Sequence, residues 1–548
     1  MTPSVLSFLA GLALYGSSLV SATSSGSIVN VGYASYQGNQ SYANTVAYLG
    51  IPYAEPPLGD LRFRAPLPLN TSRIAQLANG QVVDATKYPN FCVQGTTGGG
   101  DAGGAGSEDC LNINIYAPYG ATNTSNLPVL VYIHGGGYVY GNPANWPFDA
   151  WINQSPNVVI VSVYYRLDSF GFLSTPEFVT DSTLGDLNVG FQDQVQSLKW
   201  IKQYISAFGG DPSQVTINGE SAGGSSIELH LVANEGESLF SAAIAQSVYR
   251  APVSLPEQSQ PLFQYYAQQA GCGSASEPTI ASQMTCLRNA SISALARAQD
   301  ASNYNFTGPY KNFIPVVDGK LITQYPTLSI LQGKFAHVPL IVGAVSNETL
   351  AGGTNISAAL QAFFPSLTSA DLADFMAAYP STEFSSTNEW QRVATGEPSV
   401  RCARTIMGLA FSSFAPTWTY RYNQRNPTQS PTDLAVEHAS ENWMMFRGTN
   451  TGYNGTTTFT PQTPVELAFA SELIAYWLSF TRSHDPNTFK LAMSPNWTAY
   501  GVGERVRMVL QQDPQNSTDV SGSFVESEPD LETARCSLVA TKVLRTED

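Results

Sequence analysis

Two stretches in the first third of the chain, Val129-Leu130-Val131-Tyr132-Ile133 and Val158-Val159-Ile160-Val161-Ser162-Val163, are almost continuously apolar and rich in β-branched residues. Continuous apolarity, without polar alternation, predicts strands buried on both faces of a helix-covered sheet. The pattern then changes period. Val189, Val195, Leu198, Ile201, Ile205 and Phe208 recur at helical spacing, and Gly209-Gly210-Asp211-Pro212 stops that helix. A short strand is predicted over 215–217, followed by Gly219-Glu220-Ser221-Ala222-Gly223-Gly224 and a helix from about Ser225. Residues 339–343 and 417–422 read as further strands. Residues 466–481 read as a helix with Leu467, Ala470, Leu473, Trp477 and Phe480 on its inner face. Strands alternating with helices predict an α/β fold, a large mixed and mostly parallel sheet flanked by helices. No internal repeat or long linker breaks residues 23–548, so they are expected to form one domain with helical insertions.

The N-terminus changes where the protein is expected to work. An apolar run from Val5 to about Val20 ends in Val20-Ser21-Ala22, the pattern of a cleaved signal peptide over 1–22. The run is too short and too interrupted by Ser and Gly for a spanning helix. The charged tail excludes a hydrophobic lipid-anchor signal, so the mature chain is expected to be secreted without a membrane anchor. Six cysteines, Cys92, Cys110, Cys272, Cys286, Cys402 and Cys536, agree with an oxidising compartment. The sequence-close pairs Cys92/Cys110 and Cys272/Cys286 would each staple a loop; Cys402/Cys536 is the hypothesis for a third pair, which the sequence leaves open. Asn39, Asn70, Asn123, Asn153, Asn289, Asn305, Asn355, Asn454, Asn496 and Asn516 stand in glycosylation sequons and are expected to carry glycans. Asn347 is also in a sequon.

Composition removes several functions. With 26 Lys+Arg against 42 Asp+Glu the formal charge is −16, which gives no footprint for a nucleic-acid partner. The five histidines are scattered and no Cys/His cluster exists, so neither a metal nor another cofactor is expected.

The chemistry is concentrated in glycine-flanked turns. Gly219-Glu220-Ser221-Ala222-Gly223 fits G-x-S-x-G between a strand and a helix. There a serine on a strained turn projects its hydroxyl above the sheet edge, and the Ala222 amide is placed to bind an oxyanion. His134-Gly135-Gly136-Gly137-Tyr138 directly follows the strand ending at Ile133. Its bare backbone N–H groups, Gly136 and Gly137 among them, can approach a substrate oxygen because no Cβ intervenes.

Together with residues 48–66, 107–116, 161–173, 210–224, 313–319 and 338–349, these blocks resemble the type-B carboxylesterase/lipase family. That family of α/β-hydrolases includes cholinesterases and secreted fungal lipases. The resemblance implies hydrolysis of a small-molecule carboxylic ester. It also implies a triad of Ser221, Glu348 and His438, with His438 in the block His438-Ala439-Ser440-Glu441. Glu348 as the acid must be buried against the histidine, so Asn347 is expected to be unglycosylated. The same resemblance makes Arg62/Glu108 and Arg166/Asp193 buried structural ion pairs, and leaves Glu220 in a secondary place near the site.

This chain departs from the family pattern in three places. Gln246-Ser247-Val248 replaces Q-S-G, and Ala439 replaces the glycine after the histidine. The segment between Cys92 and Cys110 contains Gly95–Gly106, which has neither an amphipathic helix nor a tryptophan. A lidless loop favours an esterase acting on dissolved esters over a lipase or sterol esterase. A catalytically dead adhesion protein of the same fold would have lost triad members, and all three are present. The sequence leaves the natural ester and the oligomeric state open.

Overall fold

The two continuously apolar runs are neighbouring strands at the centre of one sheet. A computed structural model of the chain describes residues 27–95, 106–233, 238–276, 278–430, 432, 434–451 and 457–548. The expected signal peptide, nearly all of the Gly95–Gly106 loop, and Asn454 therefore lie outside the described residues. In chain order the strands are β1 (Ile28–Asn30), β2 (Ser35–Tyr42), β3 (Thr45–Pro52), β4 (Val82–Ala85), β5 (Asn112–Pro118), β6 (Leu127–Ile133), β7 (Val159–Val163), β8 (Gly210–Glu220), β9 (Ala242–Gln246), β10 (Leu340–Val345), β11 (Thr417–Tyr422), β12 (Thr449–Thr451), β13 (Thr457–Phe459), β14 (Val506–Leu510) and β15 (Phe524–Ser527).

Among the described residues thirteen of these form one sheet, ordered β1-β2-β3-β5-β7-β6-β8-β9-β10-β11-β14-β15, with β4 beside β2. The run from β7 through β14 is parallel throughout, and the pairs β3/β5, β5/β7 and β14/β15 at its flanks are antiparallel. This is the expected mixed, mostly parallel sheet of an α/β-hydrolase. The separate pair β12/β13 is a small antiparallel ribbon.

Alternate residues of the central strands feed two cores. Val129, Val131 and Ile133 of β6 join one face with Phe191, Leu198 and Ile201 of the helix Val189–Tyr204. Leu130 and Tyr132 join the other face with Leu473, Trp477 and Phe480 of the helix Pro464–Ser483. Each fully buried Ile, Leu or Phe contributes about 1.5–3 kcal/mol. That explains why these strands lack polar alternation: neither face meets water.

Three local expectations need correction. The strand expected at 215–217 spans Gly210–Glu220, because its first residue already pairs with Leu127 of β6 across a bulge. The helix expected from Ser225 begins at Ala222, straight after the serine. Leu467 is 40% exposed, since burial of the helix Pro464–Ser483 starts two residues later, at Phe469.

All three expected disulfides are formed, Cys92–Cys110, Cys272–Cys286 and Cys402–Cys536. Arg62 meets Glu108 at 2.6 Å and Arg166 meets Asp193 at 2.7 Å, both pairs buried as expected. No helix of the described residues is long and apolar enough to cross a membrane.

Candidate active site

Four parallel strands deliver the site from their carboxyl ends, where open α/β sheets place their ligands. β8 ends at Glu220 and hands the chain to Ser221, whose φ of 60° and ψ of −122° are sterically costly for a non-glycine residue. Glycines on both sides make this turn possible. A Cβ on Gly223 would stand 2.1 Å from the Ile133 carbonyl oxygen, and one on Gly219 would stand 2.5 Å from the Gly223 carbonyl. The turn is locked by the Ser221 N–H donating to the Gln246 carbonyl at 3.0 Å. The helix Ala222–Val232 then starts immediately, with its positive end at the serine.

The other members arrive from β10 and from the segment beyond β11. Glu348, fully buried, accepts the Val345 N–H at Oε1 (3.0 Å) and faces His438 Nδ1 at 2.6 Å through Oε2. His438 Nε2 lies 2.7 Å from Ser221 Oγ. Serine, histidine and glutamate are thus joined in one line of two hydrogen bonds. Ala439 has a left-handed φ of 64°, which costs an L-residue about 1–2 kcal/mol and explains why glycine suits this position.

Two further carboxylates surround the imidazole. Glu220 Oε1 is 3.4 Å from His438 Nε2, while its Oε2 accepts a hydrogen bond from Asn442 Nδ2 at 3.1 Å. Glu441 is also buried. Burial opposes the charged imidazole, but Glu348 and then Glu220 outweigh it and raise the His438 pKa. Burial raises the pKa of Glu220 and of Glu441, and repulsion adds to it, from Glu348 at Glu220 and from Glu220 and Glu348 at Glu441.

The glycine run after β6 faces this group. Gly135, Gly136 and Gly137 line the same cavity as Ser221, Glu220 and His438, with a volume of about 280 Å³. Gly136 and Gly137 have φ of 111° and 63°, and a Cβ on Gly136 would stand 2.1 Å from the Tyr140 carbonyl oxygen. His134 anchors the run. It stacks between Trp146 and Tyr165, with centroids at 5.5 and 4.6 Å, and its carbonyl accepts the Tyr165 hydroxyl at 2.8 Å. Burial lowers its pKa to about 4, so it stays neutral.

Every site residue expected from the sequence is therefore in or beside the cavity: Ser221, Glu348, His438, Gly136, Gly137 and Ala222. Sequence reasoning missed Asn442, Trp146, Tyr249 and Leu350, which also shape it or its walls. They come from loops and helix ends and carry no local motif. Among the expected glycosylation positions, all but Asn454 are described and exposed, whereas Asn347 is partly buried.

Comparison with known proteins agrees with the geometry. Residues 23–389 match the family described as the carboxylesterase family. The chain is 30% identical to secreted lipase 1 of Botryotinia fuckeliana over 522 residues, covering 85% of each chain. It is 31% identical to the para-nitrobenzyl esterase of Bacillus subtilis over 483 residues, covering 85% of this chain and 91% of the other. The crystal structure of Aspergillus niger EstA superposes with a TM-score of 0.80 at 28% identity, covering 95% of this chain and 99% of that one. With the sheet, the serine turn and the matched residues in agreement, the chain belongs to the carboxylesterase family and is a carboxylic ester hydrolase.

Proposed function

We propose that this protein is a secreted serine carboxylesterase that works through a Ser221–His438–Glu348 triad and an acyl-enzyme. His438 takes the Ser221 proton as the hydroxyl attacks the ester carbonyl. The N–H groups of Gly136, Gly137 and Ala222 hold the tetrahedral oxyanion. His438 then passes the proton to the leaving alcohol, and water repeats the sequence on the acyl-enzyme, releasing acid and free serine. Glu348 fixes the imidazole tautomer and stabilises its cation. The observation that carries the reading is the line Ser221 Oγ–His438–Glu348, with contacts of 2.7 and 2.6 Å, opening on a cavity walled by the glycine run.

Secretion is supported by the N-terminal apolar run and by the Botryotinia relative's description as a secreted lipase. That description also supports a second reading, a lipase acting at an oil surface. The glycine-rich composition of residues 95–106 favours dissolved esters, since it offers little apolar surface for a closing lid. The test is Ser221→Ala. Turnover of a nitrophenyl ester should fall at least a thousandfold with an unchanged circular-dichroism spectrum, and a loss of tenfold or less would name another nucleophile.

A further inference from the structure

The three proposed triad members come from segments of unequal regularity. Ser221 sits between a strand and a helix, and Glu348 lies three residues beyond β10. Residues 434–437, which lead into His438, are neither helix nor strand. Without ladder bonds, the imidazole's position depends on what holds this irregular backbone.

Asn347 holds it at two points. Its main-chain N–H donates to the Val436 carbonyl at 3.1 Å, and its side-chain Oδ1 accepts the Val436 N–H at 2.9 Å. One residue thereby reproduces the reciprocal pairing of two strands, the side-chain oxygen standing in for a backbone carbonyl. Asn347 immediately precedes the acid, and Val436 lies two residues before the base. The same turn is tied on its other side. The Ser346 N–H donates to the Tyr422 carbonyl at 2.9 Å, and Ser346 Oγ to Asn423 Oδ1 at 2.6 Å. Val436 is itself 5% exposed and packed in the core. A shift of the clamp would therefore move the imidazole against both Glu348 and Ser221.

We propose that Asn347 is a positioning residue, whose side-chain oxygen locks the Glu348 turn to the His438 segment and so fixes the distance between acid and base. The proposal rests on the triad reading. Any residue but proline at 347 supplies the main-chain half of the clamp, but a side-chain acceptor of this reach is special to Asn and Asp. The groups facing the imidazole are the carboxylates of Glu348, Glu220 and Glu441 and the hydroxyl of Ser221. Loosening the clamp weakens the Glu348 contact most directly.

The test compares Asn347→Ala, Asn347→Ser and Asn347→Asp in the full-length protein on a soluble nitrophenyl ester. Rates are normalised to sites titrated by a phosphonate, so that misfolded molecules do not count. Displacement of a catalytic group by about 1 Å costs on the order of a hundredfold, so Asn347→Ala and Asn347→Ser should lower kcat about 10- to 100-fold with KM within about twofold. Their acid limb of kcat/KM should move to lower pH, because the imidazolium loses part of its partner. Asn347→Asp keeps the acceptor and should recover most of kcat, with its acid limb at or above that of the unmodified protein. A merely structural asparagine would lower the titratable fraction and leave kcat per site and the acid limb unchanged. That result overturns the proposal, as does Asn347→Asp being as impaired as Asn347→Ala. His438→Ala separates the two levels: if it retains turnover, the triad reading itself fails and the clamp with it.

Discussion

Glu220→Gln removes one of the charges that surround His438 while leaving the shape of the side chain nearly unchanged. Its Oε1 lies 3.4 Å from His438 Nε2. At an effective dielectric of about 20, two full charges at that separation interact by about 5 kcal/mol, or roughly 3.5 pKa units. The full value does not apply, because burial raises the Glu220 pKa to about 7 and the carboxyl is partly protonated near neutral pH. An expected shift of about 1–2 units remains. The sign follows from the role of the imidazole. In the proposed mechanism the neutral ring is the base, and nearby carboxylates stabilise the protonated ring and raise its pKa. Removing one favours the neutral ring, so the acid limb of kcat/KM moves to lower pH. In the proposed mechanism the same charge stabilises the imidazolium of the transition state, so kcat on the plateau should fall roughly tenfold, equivalent to about 1.4 kcal/mol. The assay is kcat/KM against pH from 5 to 10 on a soluble short-chain nitrophenyl ester. An acid limb and a plateau both unchanged in Glu220→Gln would refute the electrostatic reasoning.

Three other outcomes follow. Replacing Cys402 and Cys536 by alanine opens a link across 134 residues, worth up to about 5 kcal/mol of chain entropy, and should lower the thermal midpoint without changing KM. A calorimetric midpoint equal to that of the unmodified protein would contradict this. Glycopeptide mass spectrometry should find sugars at exposed sequons such as Asn39, Asn123 and Asn496 and none at Asn347, which is partly buried with its Oδ1 engaged. A glycan on Asn347 would count against the clamp and against Glu348 as the acid. Rate against concentration for a short triglyceride should saturate through its solubility limit. A sharp rise as droplets form would favour the lipase reading.

The sheet and most of the site were legible in the sequence because strand burial and glycine turns leave local signatures. The runs at 129–133 and 158–163 could be read because both faces of those strands are covered. The serine turn and the glycine run could be read because steric crowding at Gly219, Gly223 and Gly136 leaves no room for a side chain. Glu348 and His438 were legible only through family resemblance, since a lone glutamate after a strand and a histidine in an irregular segment carry no period. The start of the serine helix was misjudged by three residues, because its first turn, Ala222-Gly223-Gly224, is poor in helix-favouring residues and is set by tertiary contacts. Leu467 was misplaced because periodicity reports which face is apolar but not where along a helix the core begins. Asn442, Trp146 and the clamp at Asn347 depend on contacts between residues far apart in sequence, which no local pattern records.

The central claim is that Ser221 is the nucleophile, activated by His438. It is tested most directly by treating the purified protein with a fluorophosphonate and mapping the adduct by tandem mass spectrometry. One adduct per chain is expected, on Ser221, formed in parallel with loss of esterase activity and greatly slowed in His438→Ala. Complete inactivation with the adduct on any other residue, or equal labelling of Ser221 in His438→Ala, would contradict the account.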